Sequence, residues 1–403
     1  MRPFQFVLIG TALILPLFFS GCGGSSSSSQ TPTTSGLKKR VLLSNEQIGV
    51  VNIMDAQKDV LSTFTISIAS PSKMVTAGGF TAVISANANS YSAIDNTKEA
   101  SAAVAPTSDR VVDVTMSKDG KTAYGAVRNQ GLVYAMSTAD GTLSTVSVPT
   151  VTRLVLSPNS TKLLAFVDDP NALNAPNTGG FFVIDAASKS VTAITGPQLD
   201  QPFTAVFGSS ETQAFVLNCG AECSGTAASV VSVDFSGTTP VFGTSVPVSG
   251  ATVGLLNGAN LFVAGTPAGS ASGTLQVINT NTMTASAPVA ITDGKHLKMQ
   301  LASNNRLYIG ASACTPVNDA ATGLVRGCLT IFNTASSGAA VFPEFTSLRQ
   351  SFNVTGIQPI SNRNVVYVCE GGELDIYDTT TDKFATTQID IVGQAVDVVQ
   401  IDP

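Results

Sequence analysis

The chain has 403 residues, with 21 basic and 27 acidic side chains, one histidine and a formal net charge of −6. Charged residues make up 12%, about half the ~25% of an average soluble domain, yet 43% are apolar and 35 residues are glycine. That balance excludes a charge-rich disordered chain, a coiled coil and a long-helix protein, and it offers no basic stripe for nucleic acid. Many short strands joined by small-residue turns fit it best.

Residues 1–22 read as an export signal. Arg2 supplies a positive start, Phe4 to Phe19 an apolar run with few interruptions, and Ser20-Gly21 the small residues before a cleavage site. The run is short for a membrane span, and Pro16 weakens it further. Phe19-Ser20-Gly21-Cys22 resembles the bacterial lipobox, although Phe19 replaces the usual aliphatic residue. The resemblance implies that Cys22 is lipidated and becomes the mature N-terminus. An ordinary cleaved signal with an incidental cysteine is the rival. Residues 23–37 include GGSSSSSQTPTTSG, a polar tether with nothing apolar to bury. Gly23 is not the aspartate that the resemblance would link to inner-membrane retention. The expected address is the cell envelope, with a lipid anchor in the outer membrane or at the cell surface.

From residue 38 to 403 the chain repeats, each unit holding four β-rich runs. The third runs show it best: IGVVNIMD, SYSAID, LVYAMS, GGFFVID, ASVVSVD, GTLQVIN, GCLTIFN and ELDIYD. They end at Asp55, Asp95, Ser137, Asp185, Asp234, Asn279, Asn333 and Asp378. A short oxygen-bearing side chain there accepts a backbone N–H two residues on and closes a tight turn, so this column reads as structural. A recurrence of about 40–50 residues with four strands per unit is the signature of a β-propeller blade.

The repeats resemble the YVTN family of lactonase-like β-propellers. Ser117-Lys118-Asp119-Gly120-Lys121-Thr122-Ala123-Tyr124 is similar to the first half of that pattern, and Val366-Tyr367-Val368 with Leu374-Asp375-Ile376-Tyr377-Asp378-Thr379 to the second. The resemblance spans nearly all of residues 38–403 and implies a fold more than an activity. The expectation is one all-β propeller of four-stranded blades. Eight hinges predict eight blades, seven being the alternative, with 70–107 the least regular unit. The first unit lacks a first run and the C-terminus has a surplus one, Val392 to Val399, so the two halves should complete one blade.

Besides Cys22 there are five cysteines. Cys219 and Cys223 sit in a loop between second and third runs, and Cys314 and Cys328 flank the corresponding loop two blades later. An oxidising compartment favours disulfides Cys219–Cys223 and Cys314–Cys328, with Cys369 a buried small hydrophobe. Zinc is disfavoured because no second close pair or neighbouring histidine completes four ligands.

Loops lengthen in four consecutive blades, at 168–180, 218–229, 265–273 and 311–327. Insertions gathered on one face of a repeat ring point to binding, drift in tolerated surface loops being the alternative. Candidate binding residues are Asp168, Asp169, Asn171, Asn174, Glu222, Asn318, Asp319 and Arg326. No catalytic set emerges: His296 is the lone histidine, and no G-x-S-x-G, P-loop or haem-attachment motif occurs. Only Asp113 and Asp397 bring acids into the first runs. The reading is therefore a monomeric, membrane-tethered binding module for a protein or polymer, without cofactor or metal. The alternative is a lactonase-like hydrolase with a divalent cation, calcium in the first instance, in its channel.

Overall fold

The computed structural model describes residues 34–402 except 170–172, 174–178, 238, 337 and 347–350. The signal segment, Cys22, most of the tether, Asn171 and Asn174 lie outside the described residues.

Eight antiparallel sheets make eight blades of one propeller. The innermost strand of blade 1 is the last of the chain. β1 (Arg40–Asn45), β2 (Val50–Asp55) and β3 (Val60–Ser67) are joined by β35 (Ala395–Gln400) in the order β3-β2-β1-β35. Val41 opposes Gln400 and Leu43 opposes Val398. Blade 2 spans β4 (Pro71–Ala77) to β7 (Ala100–Pro106), so the least regular unit of the sequence is a complete blade. Blade 3 runs from β8 (Asp113–Met116) to β11 (Leu143–Ser147), and blade 4 from β12 (Val151–Leu156) through β13 (Lys162–Val167) and β14 (Gly180–Asp185) to β15 (Val191–Thr195). Blade 5 comprises β16 (Pro202–Phe207), β17 (Gln213–Asn218), β18 (Ser229–Asp234) and β19 (Val241–Pro247).

Blades 6 and 7 depart from the pattern at their outer edges. Blade 6 has β20 (Val253–Asn257), β21 (Asn260–Gly265) and β22 (Gly273–Asn279), and its outer strand is broken into β23 (Thr284–Ala285) and β24 (Val289–Ile291). Blade 7 has β25 (Lys295–Ala302), β26 (Arg306–Ser312) and β29 (Leu329–Asn333), with a single bridge from Ile331 to Val341 at the outer edge. Two strands of its long insertion, β27 (Val317–Asn318) and β28 (Leu324–Arg326), form a separate small sheet with β30 (Glu344–Thr346) from the segment after β29. Blade 8 runs from β31 (Val354–Pro359) through β32 (Val365–Glu370) and β33 (Glu373–Asp378) to β34 (Lys383–Ile389). Among the described residues helix is confined to single turns such as Gly220–Cys223.

The apolar core lies between blades. One cluster joins Leu42, Val51 and Ile53 of blade 1 to Met74 and Val83 of blade 2, and an equivalent cluster fills every interface around the ring, ending with Tyr367 and Ile376 of blade 8 against Val41 and Met54 of blade 1. Each middle strand is therefore covered on both faces. This is why the second and third runs are almost continuously apolar rather than alternating. The outer strands, covered on one side only, show exposed residues such as Val104 and Val241.

The hinge column does what its chemistry predicts. The Oδ1 atoms of Asp55, Asp95, Asp185, Asp234 and Asp378 accept the N–H two residues on at 2.6–3.1 Å, as do those of Asn279 and Asn333. At the Ser137 turn, Asp140 accepts the Thr142 N–H at 3.0 Å instead. Accepting these hydrogen bonds, with Lys98 close by, holds the Asp95 carboxyl down at about 2 despite partial burial.

Candidate functional site

Several innermost strands carry a bulge near their N-terminal ends, for example between Val151 and Arg153, Pro202 and Thr204, His296 and Lys298, and Val354 and Gly356. A bulge bends the strand and re-aims the residue that follows it. Following that register, Asp397, Lys73, Asp113, Arg153, Thr204, Lys298 and Gly356 share one level of the ring. Lys73, Lys298 and Asp397 line a common space of about 310 Å³ that brings blades 1, 2, 3, 7 and 8 together.

Both acids of this level are committed to holding blades together. Asp397 Oδ2 accepts the Met74 N–H at 2.9 Å and its Oδ1 the Lys298 ammonium at 2.9 Å. Gly356 lies between their blades, and a Cβ there would come within 3.0 Å of Asp397 Oδ1, so a side chain would crowd this contact. Asp113 Oδ2 accepts the Leu154 N–H at 2.8 Å, and Lys73 pairs with its Oδ1. Among the described residues no group of three or more acidic, cysteine or histidine side chains is arranged to hold a metal ion. With their lone pairs directed at lysines and backbone N–H groups, Asp113 and Asp397 do not form the converging carboxylate pair that a channel hydrolase would need.

His296 is fully buried, not on the open channel wall. Its Nδ1 is 3.5 Å from Thr266 Oγ1, and a Cβ on Gly273 would come within 2.6 Å of the ring. Burial pushes its pKa down to about 4, so it is neutral at physiological pH.

A concavity opens where the long loops meet. A cavity of about 570 Å³ is walled by Asp168 of blade 4, Phe203 and Cys219 to Ser224 of blade 5, Thr266 to Ser270 of blade 6 and Lys295 of blade 7. That size is ordinary for a small-molecule site. The loops around it are braced. Cys219 is bonded to Cys223 and Cys314 to Cys328, with Cα separations of 5.7 and 5.5 Å, and Cys369 is a free, buried thiol. Asp200 accepts the N–H groups of Thr226 and Ala227 at 2.9 and 2.8 Å, pinning the second loop. Thr266 N donates to Glu222 Oε2 at 2.9 Å, linking the second loop to the third. Thr315 N donates to Asp293 Oδ1 at 2.7 Å, tying the fourth loop to the foot of blade 7.

Charged groups gather around Phe203, one of the wall residues. The Arg153 guanidinium carbon lies 4.0 Å from the centroid of the Phe203 ring, and Lys295 Nζ lies 5.4 Å from the same centroid. Burial lowers the Arg153 pKa, opposed by the charge of Asp113. Burial raises the Glu222 carboxyl to about 7, while the Thr266 N–H and the Lys295 charge pull the other way.

Of the candidate binding residues, Asp168 and Glu222 line this cavity. Asp168 is paired with Arg128 at 2.7 Å. Asn318 and Asp319 belong to the hairpin of the fourth loop, where Asp319 Oδ1 accepts the Ala321 N–H at 2.8 Å. Arg326 pairs with Glu344 at 3.0 Å and lines a second cavity of about 310 Å³ shared by the third and fourth loops. Phe203, Lys295 and Arg153 escaped the sequence reading. They lie in or beside innermost runs that carry no acid, and a lone cation or ring in a repeat strand leaves no motif.

No family model matches the sequence, and no curated protein matches it. Similarity appears in the fold. The chain superposes on dihydro-haem d1 dehydrogenase NirN in complex with DHE with a TM-score of 0.65 at 10% identity, covering 91% of this chain and 75% of that one. It superposes on apo AztD from Citrobacter koseri with a TM-score of 0.58 at 12% identity, covering 90% and 98%. A functionally unknown protein from Desulfotomaculum acetoxidans gives 0.53 at 13% identity, covering 90% and 99%. Likeness at such identities establishes the fold alone: this chain is an eight-bladed β-propeller.

Proposed function

We propose that this propeller is a binding module of the cell envelope, tethered through a lipid on Cys22 and recognising a protein or polymer through the loops of blades 4 to 7. The anchor rests on the export signal, the lipobox-like run and the polar tether. The binding reading rests above all on one observation: the loops 168–180, 218–229, 265–273 and 311–327 meet around shared cavities, and two of them carry disulfides. Bracing a loop lowers the ordering cost of binding. Most of each interblade apolar cluster comes from the strands, the loops adding a few side chains such as Leu173 and Cys314.

The hydrolase reading draws less support, because Asp113 and Asp397 are both engaged in interblade contacts. Shortening all four loops to tight turns should leave the propeller folded by circular dichroism and abolish capture of partners from envelope extracts. Capture of the same partners by the shortened protein would overturn the reading. So would lactone hydrolysis by the intact protein with added calcium.

A further inference from the structure

The two disulfides have different surroundings. Cys314 and Cys328 pack with the apolar cluster between blades 7 and 8. Cys219 and Cys223 stand instead in the wall of the cavity of about 570 Å³. Cys219, next to the end of β17, is 1% exposed, whereas Cys223, at the end of the turn Gly220–Cys223, is half-buried. The bond between them closes a separation of four residues, against fourteen for the other. A cross-link restrains the unfolded chain less as its loop shortens, so this bond contributes less to stability. The turn it closes is also held by other means. Cys219 N donates to Gln201 O at 3.1 Å, Gly220 N to Asp200 O at 3.1 Å and Gly225 N to Gly220 O at 2.7 Å. The Asp200 carboxylate takes the N–H groups of Thr226 and Ala227.

We propose that Cys219–Cys223 is a thiol-exchange site, its Cys223 sulfur attacked by a thiol entering the cavity, and that Cys314–Cys328 is structural. Exchange needs a thiolate to reach a disulfide sulfur, so access decides which bond reacts. The cavity opens onto Cys223, while Cys219 has almost no surface to offer. In the first step the thiol loses its proton to solvent, and its sulfur bonds to Cys223 Sγ as the bond to Cys219 breaks. Cys219 leaves as a thiolate and takes a proton from solvent. A second thiol then releases the first as a disulfide, two electrons having passed to the protein and both cysteines having become thiols. Because hydrogen bonds hold the turn, the bond can open without unfolding blade 5. Burial holds the Glu222 carboxyl, next in the chain to Cys223, up at about 7. Near neutrality it therefore repels an incoming thiolate less than an ordinary carboxylate would. The proposal does not rest on the binding reading, since exchange at Cys223 can fail while the loops still capture a partner.

The test treats the intact exported protein with reduced glutathione under native conditions. Acid quenching at early times traps mixed disulfides, free thiols are blocked with N-ethylmaleimide, and peptides are mapped by mass spectrometry. Cys219 and Cys223 should be freed at least about tenfold faster than Cys314 and Cys328, with any trapped glutathione on Cys223 and an unchanged circular dichroism spectrum. Ala268→Trp, which narrows the cavity, should slow the opening of Cys219–Cys223 at least about fivefold and leave Cys314–Cys328 unaffected. Trapped glutathione chiefly on Cys219, opening of Cys314–Cys328 at an equal or greater rate, no opening of Cys219–Cys223, or an unchanged rate in Ala268→Trp would each overturn the proposal. A small molecule and a cysteine of a partner protein present the same thiol. Repeating the reaction with a folded protein bearing one surface cysteine separates them: faster opening by glutathione assigns a small molecule, and faster opening by the protein a partner's cysteine.

Discussion

Thr266 stands between two groups whose ionisation is altered in opposite senses. Its N–H donates to Glu222, and its hydroxyl lies beside His296. His296 titrates at about 4 when folded, against an ordinary value near 6.5. Between those values the unfolded chain takes up a proton that the folded chain refuses. The stability from a neutral His296 is therefore complete above pH 6.5 and lost as the pH falls toward 4. A gap of this size corresponds to roughly 3 kcal/mol. Glu222 acts in reverse: its folded value of about 7 exceeds the ordinary 4.5, so stability is lost as the pH rises through that window. The two effects oppose each other between pH 5 and 6.5. Urea midpoints at pH 7 and pH 5 should thus differ little for the unaltered protein. His296→Gln should gain stability at pH 5 relative to pH 7, and Glu222→Gln should lose it. Identical pH dependence in all three proteins would refute the assignment. At this scale the turn column was legible from the sequence, because an Asp or Asn closing its own turn needs only residues two or three positions away. The environment of His296 was not, since its burial depends on Gly273 and Thr266 of the neighbouring blade.

Strands show the same division between local and non-local information. The second and third strands of each blade could be read directly, because coverage on both faces forces apolar runs bounded by turn residues. The innermost strands were harder to interpret. Their side chains are sorted by a bulge, and their partners lie one or two blades away, as with Asp397 and Lys298. Sequence counting found Asp113 and Asp397 but could not show that each is held by a lysine and a backbone N–H from other blades. This arrangement makes Asp397 a staple among blades 1, 2 and 7. Its own N–H donates to Ser44 Oγ at 2.8 Å, completing the set. Asp397→Ala leaves the half-buried Lys298 ammonium and the buried Met74 N–H without this acceptor, and should cost about 1–3 kcal/mol in equilibrium unfolding. Asp397→Asn, which preserves the acceptor for Met74, should cost clearly less. Equal losses would mean that the backbone contact carries nothing.

At the level of the whole molecule, ring closure was visible in the incomplete repeats at the two ends of the chain. A blade assembled from both ends turns closure into pairing between residues some 350 positions apart, such as Leu43 with Val398. The lengthened loops were also visible, as departures from the repeat. What the sequence did not disclose was how far they converge. The cavity at their meeting point is made by blades 4 to 7 together. A binding module of this kind would take its partner on this face, not on the circumference. Site-specific photo-crosslinking measures that directly. A photoreactive residue replacing exposed Ala268 at the cavity mouth should yield a discrete crosslinked partner in envelope preparations, and one replacing Val104 on an outer strand should yield none. Crosslinks from Val104 with none from Ala268 would contradict the account.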